Sequence, residues 1–243
     1  MIHHYAVMKS VLNRTLLFVG APLRYLIRYE LLRAVSPSNL QTELQRRATV
    51  SSATYVEQHM SQCDPTISDL DLLARAFSLA KFDQNQLVLE FGVFSGRTIN
   101  HLASLARVKV YGFDSFEGLP ERWRSGFPQG FFKVDSLPRV KPNVELVKGL
   151  FNDTLPAFIQ AHPEPVGFLH IDCDLYSSTQ VIFAMLRERI GPGCVIVFDE
   201  YFNYPGWQDG EFKAFHEFLD ATGLSYRYIG YCKVGEQVAL LIT

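Results

Sequence analysis

Leu87-Val88-Leu89-Glu90-Phe91-Gly92-Val93-Phe94-Ser95-Gly96-Arg97-Thr98 is the stretch from which the rest of the chain is read. It gives a short apolar strand closed by an acid at Glu90, a turn bearing Gly92 and Gly96, and the first turn of a helix. At the two glycines a missing Cβ lets the backbone approach a ligand. The free N–H groups of the helix start face the same space. This is the first crossover of a nucleotide-type α/β fold, with its ligand beyond the carboxyl end of the strand. The spacing Glu-x-Gly-x-x-x-Gly is not the Gly-x-Gly-x-x-Gly of a dinucleotide site. The missing glycine and the early acid suit a ligand with an amino-acid end and no pyrophosphate, such as S-adenosylmethionine.

The pattern around this turn agrees with it. From residue 86 onward, strand-like runs (86–91, 108–113, 144–148, 166–171, 193–198, 226–230 and 237–242) alternate with helix-like runs (97–106, 151–161, 178–190 and 208–222). Such alternation predicts a mostly parallel sheet with helices on both faces. The last two runs leave no room for a helix between them. They are joined near Lys233-Val234-Gly235-Glu236, so an antiparallel C-terminal strand closes a sheet of seven. A further helix is predicted over 67–81, with Leu70, Leu73, Ala74, Phe77 and Ala80 on one face and Ser68 or Asp69 near its start.

The two ends of the chain differ in character. Residues 1–47 hold seven Lys/Arg and two Glu, an excess of +5, so the remainder carries −7 of the overall −2. The 243 residues divide into a helical N-terminal arm, 1–66, and one large domain, 67–243. In the arm, two helical pieces over 7–35 break near Gly20-Ala21-Pro22. Its apolar positions suit packing or homo-oligomerisation rather than a membrane surface. No run is long enough to span a bilayer, and the near-neutral total gives no sign of nucleic acid. Cys63, Cys173, Cys194 and Cys232 match no metal spacing. Free buried thiols, with no recognisable leader at the N-terminus, predict a cytoplasmic protein. Residues 115–142 are rich in Pro, Gly and aromatics, including Phe116, Trp123, Phe127, Phe131 and Phe132. A stretch this long is expected to be a mobile lid over the site.

Acids stand at four strand ends: Glu90, Asp114, Asp172 and the pair Asp199-Glu200. In a parallel sheet these ends share one rim, where the acids repel unless something positive sits among them. Asp114 is placed to accept hydrogen bonds from two ribose hydroxyls. Glu90, beside the turn, suits the amino group of the ligand. Asp172, Asp199 and Glu200 make a hard-cation site best suited to Mg²⁺. His170, two residues before Asp172, reads as a core histidine. His101 reads as structural, and His216 is open to either role.

At this point the residues resemble a family, the metal-dependent sugar O-methyltransferases of macrolide biosynthesis, of the macrocin and mycinamicin type. The resemblance covers roughly 85–220. It is carried by Glu90-Phe91-Gly92-Val93-Phe94-Ser95-Gly96, Gly112-Phe113-Asp114-Ser115-Phe116-Glu117-Gly118-Leu119-Pro120, Gly149-Leu150-Phe151-Asn152-Asp153-Thr154-Leu155-Pro156, His170-Ile171-Asp172-Cys173-Asp174-Leu175-Tyr176-Ser177-Ser178-Thr179 and Phe198-Asp199-Glu200-Tyr201. It implies a Rossmann-like class I methyltransferase fold with S-adenosylmethionine as methyl donor. The donor would lie against Glu90, Gly92, Phe94, Ser95, Gly96, Thr98, Asp114, Ser115, Asp153, Thr154 and Asp172. It implies Mg²⁺ on Asp172, Asp199 and Glu200, although the family carries Asp-Asp where this chain has Asp199-Glu200. The implied chemistry is in-line attack by an acceptor oxygen on the sulfonium methyl, with Asp172 taking the proton. The acceptor would be a hydroxylated small molecule, such as a sugar. Tyr176, Tyr201, Tyr204 and Trp207 are candidate contacts for it. Two alternatives remain at this stage: a metal-independent N- or O-methyltransferase, and a non-catalytic nucleotide-binding protein.

Overall fold

The computed structural model describes residues 25–26, 39–81, 83 and 85–243. The helical pieces expected within 7–35 lie outside these residues, apart from 25–26. So does most of the basic arm.

The described chain begins with α1 (Leu40–His59), followed by β1 (Pro65–Thr66), α2 (Asp69–Leu79), β2 (Leu87–Phe91), α3 (Arg97–Leu105), β3 (Val110–Asp114), β4 (Val144–Lys148), α4 (Phe151–Ala161), β5 (Val166–Ile171), α5 (Tyr176–Leu186), β6 (Val195–Phe198), α6 (Glu211–Thr222), β7 (Tyr226–Cys232) and β8 (Val238–Ile242). Short 3₁₀ turns at Arg187–Arg189 and Trp207–Asp209 extend α5 and precede α6. They absorb the longer helices expected at 178–190 and 208–222.

Capping accounts for where the first helices start. Asn39 Oδ1 accepts from the N–H groups of Gln41 and Thr42, which starts α1. Ser68 Oγ accepts from Asp71 N and starts α2. The sheet runs β1-β7-β8-β6-β5-β2-β3-β4. Only β8 is antiparallel to its neighbours, β6 and β7. The seven expected strands are all present, and the two-residue β1 adds an eighth beside β7. β2, β5 and β6 are buried on both faces. This is why they read as continuous Val/Ile/Leu/Phe runs instead of alternating.

Two apolar layers sandwich the sheet. One gathers Phe91, Phe113, Ile171, Phe198, Phe215 and the loop aromatics. The other gathers Val88, Ile99, Leu102, Phe168 and Val197. α1 lies over the 201–207 loop and is held there largely by polar bonds. Asn203 N donates to Ser52 Oγ, Trp207 Nε1 donates to Ser51 Oγ, and Gln45 Nε2 donates to Asn203 O.

The 115–142 stretch forms neither helix nor strand. It is tied to itself by Leu119 N to Phe131 O and Gly130 N to Leu119 O, and Val134 N reaches Phe116 O. Phe116 is 2% exposed. The stretch is a packed wall pinned by its own backbone, not a bare loop. None of the four cysteines is in a disulfide. Among the described residues, no helix is long and apolar enough to cross a membrane.

Candidate active site

Register brings the strand ends together. Phe91, Ile171 and Phe198 are neighbours across β2, β5 and β6. The chain leaving each strand is pinned to the next: Gly92 N to Phe113 O at 2.9 Å, Asp172 N to Phe91 O at 2.8 Å, and Asp199 N to Ile171 O at 2.9 Å. Gly92 has φ +94°, and a Cβ built on it would lie 1.6 Å from the Asp172 carbonyl oxygen. Only glycine fits there, so the turn and the end of β5 touch backbone to backbone. Above them opens a cleft of about 300 Å³.

Several expected residues border this cleft: Gly92, Phe94, Asp114, Ser115 and Asp172. Phe94 stands edge-on to Phe132 of the 115–142 wall, at 5.3 Å between centroids. Asp114 does more than face a ligand. Its Oδ2 accepts from Val93 N and Phe94 N, both at 2.8 Å, and its Oδ1 accepts from Phe116 N at 2.7 Å. A carboxylate has about four lone-pair directions, so one remains free, and a clamp on two ribose hydroxyls is not available without release of the turn. Ser115 Oγ is likewise engaged in the wall, accepting from Glu117 N and donating to Gly118 O.

Other expected ligand contacts are placed elsewhere. Glu90 is fully buried, with Oε1 accepting from Thr98 Oγ1 at 3.0 Å and Oε2 lying 2.9 Å from His170 Nδ1. Neither Glu90 nor Thr98 reaches the cleft. Ser95 is exposed outside it, and Gly96 packs toward Pro138. Asp153 points to solvent in the first turn of α4, where an acid suits the helix dipole. Thr154 Oγ1 donates back to Leu150 O. The cleft touches the residues before them, Gly149 to Asn152.

The four acceptor candidates are also displaced. Tyr201 is fully buried and its hydroxyl bonds Tyr228 at 2.7 Å. Tyr204 and Trp207 are buried under α1 and the wall, with Arg124 over the Tyr204 ring. Tyr176 turns outward and donates to Glu217 at 2.7 Å. The cleft instead takes Leu119, Pro120, Glu121 and Phe132 from the wall, and Ser177, Ser178 and Val181 from α5. The wall residues belong to the 115–142 stretch expected over the site, whereas Ser177, Ser178 and Val181 were not singled out as contacts. The signals toward the α5 serines are their place directly after the acid-rich exit of β5 and within the motif 170–179.

The acids on the rim repel one another. Burial first, then the charges of Asp199 and Asp174, push the Asp172 carboxyl well above the ordinary range. Burial and Asp199 push Asp174 up to about 7, against the pull of Arg124. Burial, then Asp199, raises Glu200. Burial also raises Glu211, which the sequence reading did not single out. Glu211 Oε2 accepts from Glu200 N at 3.2 Å. Several buried polar atoms here have no partner among the described residues: Glu200 Oε2, Glu211 Oε1, Tyr204 Oη and His170 Nε2. Among the described residues, His170, Asp172 and Asp199 come together, one ligand atom of each lying within 4.8 Å of the others. Glu200, expected as the third ligand, is not in that set. It follows Asp199 directly, and its backbone N–H is held by Glu211 on α6. His216 is engaged within α6, its Nδ1 2.8 Å from Phe212 O, and His101 Nε2 lies 3.1 Å from Leu70 O.

Residues 89–201, which supply most of this cleft, match a protein family described as a methyltransferase domain. Over those residues, 113 of the 243, the chain is similar to methyltransferases. Its fold is similar to that of CalS11, a calicheamicin methyltransferase, with a TM-score of 0.55 and 21% identity over 92% of this chain and 94% of that one. It is also similar to the O-methyltransferase NovP, with a TM-score of 0.55 and 19% identity over 71% of this chain and 78% of that one. No curated protein matches the chain by sequence.

Proposed function

Taking residues 89–201 as a methyltransferase domain, we propose that this enzyme transfers the methyl group of S-adenosylmethionine to a hydroxyl of a small molecule, with a divalent cation beside the acceptor. A sugar moiety of a natural product is the favoured acceptor class. The similarity in fold to a calicheamicin methyltransferase and to an O-methyltransferase supports that class. The observation that carries the cation is the acid cluster. Several carboxyls crowd one strand rim, and buried polar atoms among them have no hydrogen-bond partner among the described residues. Such a set is costly unless a positive group completes it. The donor set, carboxylate-rich beside an imidazole, fits a divalent ion.

Asp172 and Asp199 offer the carboxylates that would hold the ion. When bound, a divalent cation supplies Lewis acidity that lowers the pKa of a nearby hydroxyl. The chain's own residues do the rest. The Gly92 turn, closed against the end of β5, borders the cleft where the donor would lie, and the Phe94 and Phe132 rings stand edge to face at its side. Asp172, on the cleft floor, takes the hydroxyl proton. Ser177, Ser178 and Glu121, on the opposite rim, offer polar contacts for a hydroxylated acceptor.

The test is calorimetric titration of S-adenosylhomocysteine into chelator-treated protein, then of Mg²⁺ or Mn²⁺ into the wild type and Asp199→Ala. Donor-product binding in both proteins, with the metal heat lost only in the variant, is the expected result. Absence of S-adenosylhomocysteine binding to the wild type overturns the methyl-transfer reading. Methyl transfer to sugar hydroxyls that survives exhaustive chelation overturns the cation's part in it.

A further inference from the structure

The strand register sets a histidine against the acid cluster. His170 on β5 pairs with Glu90 on β2, and both point to the face that carries Thr98. His170 is 1% exposed and Glu90 is fully buried. Thr98 Oγ1 donates to Glu90 Oε1, so that oxygen is already occupied. The other, Oε2, faces His170 Nδ1 at 2.9 Å. With Oε1 filled by Thr98, the short contact at Oε2 assigns the ring proton to Nδ1. Nε2 then presents its lone pair.

That lone pair has no partner among the described residues. A buried, unpartnered ring nitrogen calls for an explanation. Its surroundings supply one, since a ring nitrogen of His170 and a carboxylate oxygen each of Asp172 and Asp199 lie within 4.8 Å of one another, and with Nδ1 taken by Glu90, Nε2 is the nitrogen left to serve them. No hydrogen bond joins Nε2 to either acid. Ligands each about 2.1 Å from a shared ion stand roughly 3–4 Å apart, too far to bond one another and close enough to bind together.

Resting on the cation reading above, we propose that His170 Nε2 is a cation ligand alongside Asp172 and Asp199, held in its tautomer by Glu90 and Thr98. A carboxylate that fixes and polarises a metal-bound imidazole is a recurrent arrangement. The consequence is selectivity. Mg²⁺ favours oxygen donors alone, whereas an N,O,O set raises the affinity of first-row transition ions. The site therefore prefers Mn²⁺ to Mg²⁺ by at least about tenfold. Glu90 and Thr98, expected from sequence to contact the methyl donor, act here as positioning residues behind the histidine.

Mn²⁺ supplies a readout independent of turnover. The chelator-treated full chain is titrated with Mn²⁺, and electron spin-echo spectra of the bound ion are recorded with natural and ¹⁵N-histidine protein. Direct coupling to a histidine nitrogen that changes with the isotope is the expected result. In His170→Asn the coupling disappears and Mn²⁺ affinity falls by about 100-fold. In Glu90→Gln the coupling persists with affinity lowered by about tenfold. Bound Mn²⁺ without nitrogen coupling in the wild type overturns the proposal and leaves the carboxylate cation site standing. Failure of wild type to bind Mn²⁺ or Mg²⁺ at all overturns both. Because the wild-type spectrum decides the matter alone, misfolding of a variant does not protect the idea.

Discussion

Gly92→Ala isolates the close approach on which the cleft depends. The new Cβ would stand 1.6 Å from the Asp172 carbonyl oxygen and 2.6 Å from its carbon, both backbone atoms. No rotamer change relieves that overlap, so the turn or the end of β5 must shift. The positive φ costs about 1–2 kcal/mol for a residue with a Cβ. The shift strains two backbone bonds, Gly92 N to Phe113 O and Asp172 N to Phe91 O, worth about 1 kcal/mol each. The loss is therefore about 3–4 kcal/mol. With an unfolding entropy of roughly 2.1 cal/mol/K per residue, a chain of this length melts about 6–8 °C lower. Gly126→Ala is the control, since Gly126 has φ +93° but nothing within 4 Å of an added Cβ. It should lose only the backbone cost, about 2–4 °C. Thermal melting by circular dichroism, with S-adenosylhomocysteine titration of each variant, reads both. Equal melting of the two variants, with unchanged ligand binding, would refute the backbone-contact reasoning.

Tyr176→Phe removes a hydroxyl that bonds Glu217 on the outer surface, so kcat/KM for any acceptor found should stay within about twofold. A tenfold fall would return Tyr176 to the pocket. Arg124→Met cuts a pair with Glu236 at 2.9 Å and the stacking on Trp123 and Tyr204. The two side chains are only partly shielded, so the loss in stability by denaturant melting should be about 1 kcal/mol. In native protein, a thiol reagent should modify Cys63 first, because Cys173, Cys194 and Cys232 are buried. All four should react in denaturant. Cys173 lines the cleft, and if it reacts as fast as Cys63, the cleft is more open than described.

The Gly92 turn, the order of strands and the acids at their ends were legible because each follows from local pattern. An apolar run with glycine after it marks a strand exit whatever packs around it. What sequence could not supply was the direction of side chains in loops. Tyr201, Tyr204 and Trp207 form an aromatic string that reads the same whether it faces a ligand or a core. Here α1 lies over that loop, with Ser51, Ser52 and Tyr55 against it, and turns those rings inward. Glu90 was misread for a related reason. Its place beside the turn is visible in the sequence, but its partner on β5 follows from strand order and register, which no single segment carries. His170 was read as a core histidine, and it is buried. Its unpartnered nitrogen emerges only once Asp199 from β6 stands beside it.

The hairpin joining β7 to β8 has a consequence for how this protein could be re-engineered. By sequence, Lys233-Val234-Gly235-Glu236 is an ordinary exposed turn, the kind of place where a tag or a new terminus is usually inserted. Here Glu236 grips Arg124 of the cleft wall, its carbonyl accepts from Tyr201 N, and Gly235 O accepts from Asn203 Nδ2. The turn is thus a tie rod between the antiparallel edge of the sheet, the 115–142 wall and the 201–203 loop. A graft there would loosen that wall from behind.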